Sequence, residues 1–115
     1  MFQDKMVLCA SSAYEKKFYL NENFEGLPQH VKDELKIMCV LFTEDVGGVL
    51  SLEFDENGNL ELNTSADEGD LLYDEIGSVL KIKQMQQEKQ ELFESLETYY
   101  KFFFLGEDIE DDNGD

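Results

Sequence analysis

The chain has 115 residues, enough for one domain and too few for two independent cores. Its 27 Asp and Glu against nine basic residues give a net charge of −18, and every basic residue is a lysine. That balance excludes direct nucleic-acid binding and docking on anionic lipid, which both need a basic surface, and 42% hydrophobic content excludes the disordered class.

Met6–Ala10 (MVLCA) is continuously apolar and predicts a strand buried on both faces. Asp4 lies where a signal peptide would be basic, and the run is too short for a signal core. No apolar stretch is long enough to span a bilayer. A cytoplasmic protein with Cys9 and Cys39 as reduced thiols is therefore expected. Ser11–Lys16 reads as a loop, and Phe18 and Leu20 alternate with polar neighbours as a second strand, completing a hairpin. Gly26-Leu27-Pro28 announces a helix, because proline suits its first position. Val31, Leu35, Met38 and Phe42 then form one apolar stripe, widened by Cys39, until Gly47-Gly48 stops it.

Leu50, Leu52 and Phe54 alternate with polar residues, as do Leu60 and Leu62 beyond Asn57-Gly58. Period two on both sides of such a turn predicts a hairpin with one face buried. Asp70–Leu105 reads as a single helix, with Leu72, Ile76 and Val79 as the apolar face of its first part. Lys83–Glu91 is polar enough that this helix either crosses solvent or bends there. Glu107–Asp115 is an acidic tail expected to be disordered, leaving 1–106 as one α+β domain. The order ββαββα predicts a four-stranded antiparallel sheet with two helices on one face, the C-terminal one long. A weak echo at an offset of ~42 residues, Val7-Leu8 with Val49-Leu50 and Leu20-Asn21 with Leu62-Asn63, fits a repeated ββα unit.

The segments VLCASSAYEKKFYLN, KIMCVLFTEDVGG and LLYDEIGSVLKIKQ, followed by EKQELFESLE and YYKFFFLGED, resemble a family of small acidic uncharacterised proteins of anaerobic Gram-positive bacteria. The resemblance covers all but the tail and implies no activity and no catalytic residue.

The residues supply little chemistry. Cys9, Cys39 and His30 are too few for a structural zinc site. Asp55-Glu56-Asn57-Gly58-Asn59 has calcium-loop residues at its start, but the bidentate acid of the last loop position would be Thr64. Cys9 and Cys39 sit in apolar patterns, Ser11 and Ser12 lack a nucleophile elbow, and His30 falls in a helix's first turn. No catalytic, cofactor-binding or metal-binding residue is assigned, and no cofactor is expected.

The aromatic end of the last helix stands out. A helix from Asp70 to Leu105 would run about 54 Å, longer than a domain this small covers. Leu92, Leu96, Tyr99, Phe102, Phe103 and Phe104 are therefore expected to meet a partner, most simply a second copy. The leading reading is a homodimeric, non-enzymatic protein-interaction module that binds no nucleic acid or membrane directly. The alternatives are an acidic decoy for a basic nucleic-acid-binding protein and an enzyme with a carboxylate-based site.

Overall fold

The computed structural model describes residues 5–107. The expected disorder of 107–115 therefore lies outside the described residues, except for an exposed Glu107. The strands are β1 (Met6–Ser12), β2 (Lys17–Leu20), β3 (Val49–Phe54) and β4 (Leu60–Ser65). The helices are α1 (Gln29–Val46), α2 (Glu75–Glu88) and α3 (Gln90–Phe103), with a 3-10 turn at Glu22–Phe24. The sheet is antiparallel in the order β2-β1-β3-β4, so the two hairpins join through their first strands. The α+β reading holds.

The apolar run of β1 has a different cause from burial on both faces. Its register against β3 shifts between Val7 and Cys9, and the extra residue, Leu8, is buried together with Cys9. A bulge turns consecutive side chains toward one face. Val7 and Ala10 remain half-buried on the outer face, which also carries exposed Tyr19. The strand also runs on to Ser12, and its inward Ser11 hydroxyl lies 2.8 Å from that of Thr43 on α1.

The second hairpin turns over three residues. Gly58 N–H donates to the Asp55 carbonyl at 3.0 Å, Asp55 N–H donates to Asn59 at 2.9 Å, and Gly58 adopts φ 86. This is a type I turn closed by a left-handed glycine. It pairs Phe54 with Leu60 and Leu52 with Leu62, keeping all four on the inner face. A two-residue Asn57-Gly58 loop would have set Phe54 against Glu61 and broken that match. Amides of Asn59 and Asn57 donate to the Asp55 carboxylate, which holds its carboxyl below the ordinary range.

α1 begins after Pro28, whose carbonyl accepts from Val31 and Lys32, so the proline caps the helix from just outside. Its Leu35, Met38, Cys39, Phe42 and Val46 are buried on the sheet. The C-terminal segment is two helices. Asp74 caps α2 by accepting from Gly77 N–H at 2.8 Å, so the helix starts at Glu75 and not at Asp70. The break falls at Lys89, with φ −110 and ψ 23, where its ammonium reaches Glu34 of α1 at 2.8 Å. Beyond it α3 packs on the sheet through Phe93, Leu96 and Tyr100, whereas α2 packs on α1. The molecule is elongated, with extents of 54 × 34 × 24 Å.

Candidate functional site

The aromatic end of α3 is largely committed to the chain's own core. Leu96 is 2% exposed, and Leu92, Tyr99 and Phe104 are half-buried against the core. Phe104 and Tyr100 stack at 5.0 Å, and both flank Phe24. Leu96 is thus corrected from partner-facing to core, because α3 lies against the sheet through Phe93, Leu96 and Tyr100. Of the six expected contact residues, Phe102 and Phe103 stay exposed, in edge-to-face contact at 4.8 Å.

The larger apolar surface lies at the start of α2. At ~100° per residue, Ser78, Ile82 and Met85 share one side of the helix, while Ile76, Val79, Leu80 and Lys83 share the opposite one. The first side packs: Ser78 is buried, and Ile82 and Met85 lie against the core. The second faces outward, with Ile76 75%, Val79 57% and Leu80 61% exposed. The stripe that the sequence suggests for the core thus points away from it. A helix with two apolar sides needs cover on both.

Leu71 and Leu72, 93% and 91% exposed, extend this surface into the preceding loop. That loop is held at several points. Tyr14 donates its hydroxyl hydrogen to Asp70 and accepts from Asp67 N–H at 2.9 Å. The bond raises the Tyr14 pKa and lowers that of Asp70. Asp70 in turn accepts from Leu72 N–H at 2.9 Å, and Asp74 N–H donates to the Val46 carbonyl at 3.0 Å. Tyr73 closes the loop, its hydroxyl 2.9 Å from that of Ser78. The two leucines are presented to solvent by a tethered backbone. Contiguous exposed apolar surface of this kind marks interaction sites.

A second apolar strip, Ile37 and Leu41 of α1, borders an open groove of about 880 Å3 between α1 and α2. His30 lines that groove. Ser11 and Ser12 line a different cavity near the β1–β2 turn, so the structure does not bring the histidine to either serine.

Cys9 and Cys39 are both fully buried and free, with sulfurs 3.9 Å apart across the β1–α1 contact. The contact with Cys39, and then burial, push the Cys9 thiol far above its ordinary pKa. A thiol that is neither ionised nor reachable is a poor nucleophile. Native protein is therefore expected to react with a thiol reagent only as fast as it unfolds, and labelling should accelerate in step with denaturant. Rapid labelling of the folded chain at neutral pH would overturn this.

The model of DUF6145, a family of unknown function, matches residues 5–108. No curated protein and no solved structure matches the chain.

Proposed function

The chain belongs to this family of unknown function, from which no activity follows, and we propose that it is a non-enzymatic interaction module, homodimeric through the outward side of α2. The observation that carries the reading is the exposed set Leu72, Ile76, Val79 and Leu80.

Charge supports a second copy as the occupant. Residues 74–89 contain three acids (Asp74, Glu75, Glu88) and three lysines (Lys81, Lys83, Lys89), a neutral stretch in a chain of net charge −18. Lys81 and Lys89 are engaged by Asp45 and Glu34 of α1, so the outward side itself carries Lys83 against Asp74 and Glu75, little net charge for two copies to bring together. A two-fold axis between Val79 and Leu80 sets Ile76 of one chain across from Lys83 of the other, with Asp74 and Glu75 close to that ammonium. The contact is then apolar at its centre and charge-complementary at its ends, as a self-matching interface requires. The two unbridged thiols fit a reducing, cytoplasmic setting.

Light scattering across a salt series tests the reading. A dimer is expected at micromolar concentration, tightening with salt as the Debye length falls from about 8 Å to about 3 Å. Leu80→Glu is expected to be a folded monomer with an unchanged thermal midpoint. Phe103→Glu is expected to remain dimeric, and loss of the dimer in that variant alone would move the contact to the α3 aromatics. A wild-type monomer at every salt concentration would remove the reading. An acidic decoy gripping a basic partner would instead loosen as salt rises.

A further inference from the structure

The lysines are unevenly partnered. Lys5, Lys32, Lys81 and Lys89 each pair with an acid, at 2.8, 3.3, 2.6 and 2.8 Å. Five pair with none among the described residues, Lys83 and Lys101 singly and Lys16, Lys17 and Lys36 as a group of three, although the chain has 27 acids and nine basic residues. All three line one cavity of about 730 Å3 between the β1–β2 turn and the C-terminal half of α1. Buried Ser11 and Thr43 also line it, hydrogen-bonded to each other. Phe18 and Val40 supply apolar wall. Two acids reach the lining: Asp45 is engaged by Lys81, leaving Glu44 as the unpaired one.

Like charges gathered around one cavity repel one another and are relieved by a counter-charge. Lys16 adds a second observation. It has φ 55, the one non-glycine residue with positive φ among the described residues. Glycine would adopt that conformation without strain, so the backbone bears a cost that keeps an ammonium at the rim. With no arginine in the chain, the cavity offers point charges and no planar fork. Lysine binds phosphate in this way, as a point charge, and several ammoniums around one cavity can share the charge of a dianion.

We infer that this cavity binds a small organic phosphate monoester, its phosphate held by Lys16, Lys17 and Lys36 and its apolar body against Phe18 and Val40. The long-range field of a chain carrying −18 opposes an anion, but beyond about 8 Å that field is screened at physiological ionic strength. The nearest charges therefore decide. The second ionisation of a phosphate monoester lies near pH 6, at about pKa 6, so the dianion and the tighter complex belong above it.

Calorimetric titration with phenyl phosphate, inorganic phosphate and sodium chloride at matched ionic strength tests the assignment. Phenyl phosphate is expected to bind about tenfold more tightly than inorganic phosphate, and more tightly at pH 7.5 than at pH 5. The Lys17→Gln/Lys36→Gln double variant should lose about tenfold or more. Lys16→Gly should fold with a higher thermal midpoint yet bind more weakly, a combination that a purely structural lysine would not produce. The Leu80→Glu variant should bind normally, which keeps this test independent of dimerisation. Binding no stronger than that of chloride, or affinity untouched in the lysine variants, would overturn the assignment and leave Lys17 as a charged guard on the β2 edge and Lys16 and Lys36 as solvated surface lysines.

Discussion

Replacing Phe54 with alanine is expected to cost about 3–5 kcal/mol of stability. Phe54 ends the inner face of β3 and is fully buried. Its ring lies nearly parallel to that of Tyr100 at 4.2 Å and is 5.8 Å from Phe24. One side chain thus joins the sheet, the 3-10 turn and α3. Truncation removes its transfer free energy and leaves a cavity that three separate elements cannot close together. At roughly 4 °C per kcal/mol for a domain of this size, the thermal midpoint should fall by about 12 °C or more. Phe103→Ala is the control. That ring is 64% exposed, and although it touches Tyr99 at 4.7 Å, its loss should cost about 1 kcal/mol. Equal costs at the two positions would show that the aromatic stack does not hold α3 in place.

The second large effect is expected at Gly48. It has φ +70, and a Cβ there would meet the Ser65 carbonyl oxygen at 2.5 Å and the Tyr73 ring at 2.8 Å. Gly48→Ala combines a left-handed backbone penalty of about 1–2 kcal/mol with overpacking of about 1–3 kcal/mol, together about 2–5 kcal/mol. The carbonyl belongs to the last residue of β4 and cannot retreat without breaking its strand pairing with Val49. The ring closes the loop that leads into α2, so the same substitution should also weaken any dimer formed there. Gly69→Ala isolates the backbone component, since Gly69 has φ +84 with nothing within 4 Å of the added carbon. It should cost about 1–2 kcal/mol. Chemical denaturation of both variants checks the difference, and equal losses would mean that the contacts around Gly48 yield.

Much of the fold was legible because it depends on local periodicity. The Val31, Leu35, Met38 and Phe42 stripe, the Gly47-Gly48 stop and the alternation in β3 each reflect one element against one core, and each appears as read. The hairpin about Asn57-Gly58 was read from its alternation, and the structure gives its turn three residues, closed by Gly58. The candidate surface was less legible. The aromatics of α3 drew attention because they are large, but their cover comes from Phe24 and Phe54, at least 45 residues away in the chain by number. The outward side of α2 passed for a core face, since apolar spacing is the same whether or not anything packs on it.

The sequence by itself determined the types of the main elements, the inner residues of the second hairpin and the acidic character of the surface. These follow from backbone sterics and from the periods of helix and strand, which neighbouring residues set among themselves. Only the tertiary structure decided the β2-β1-β3-β4 order, the bulge at Leu8, the break at Lys89 and the gathering of Lys16, Lys17 and Lys36 at one cavity. Each of these depends on which distant surface a segment meets. Periodicity shows that a face is apolar, but the partner that removes it from water is set by packing across the whole chain.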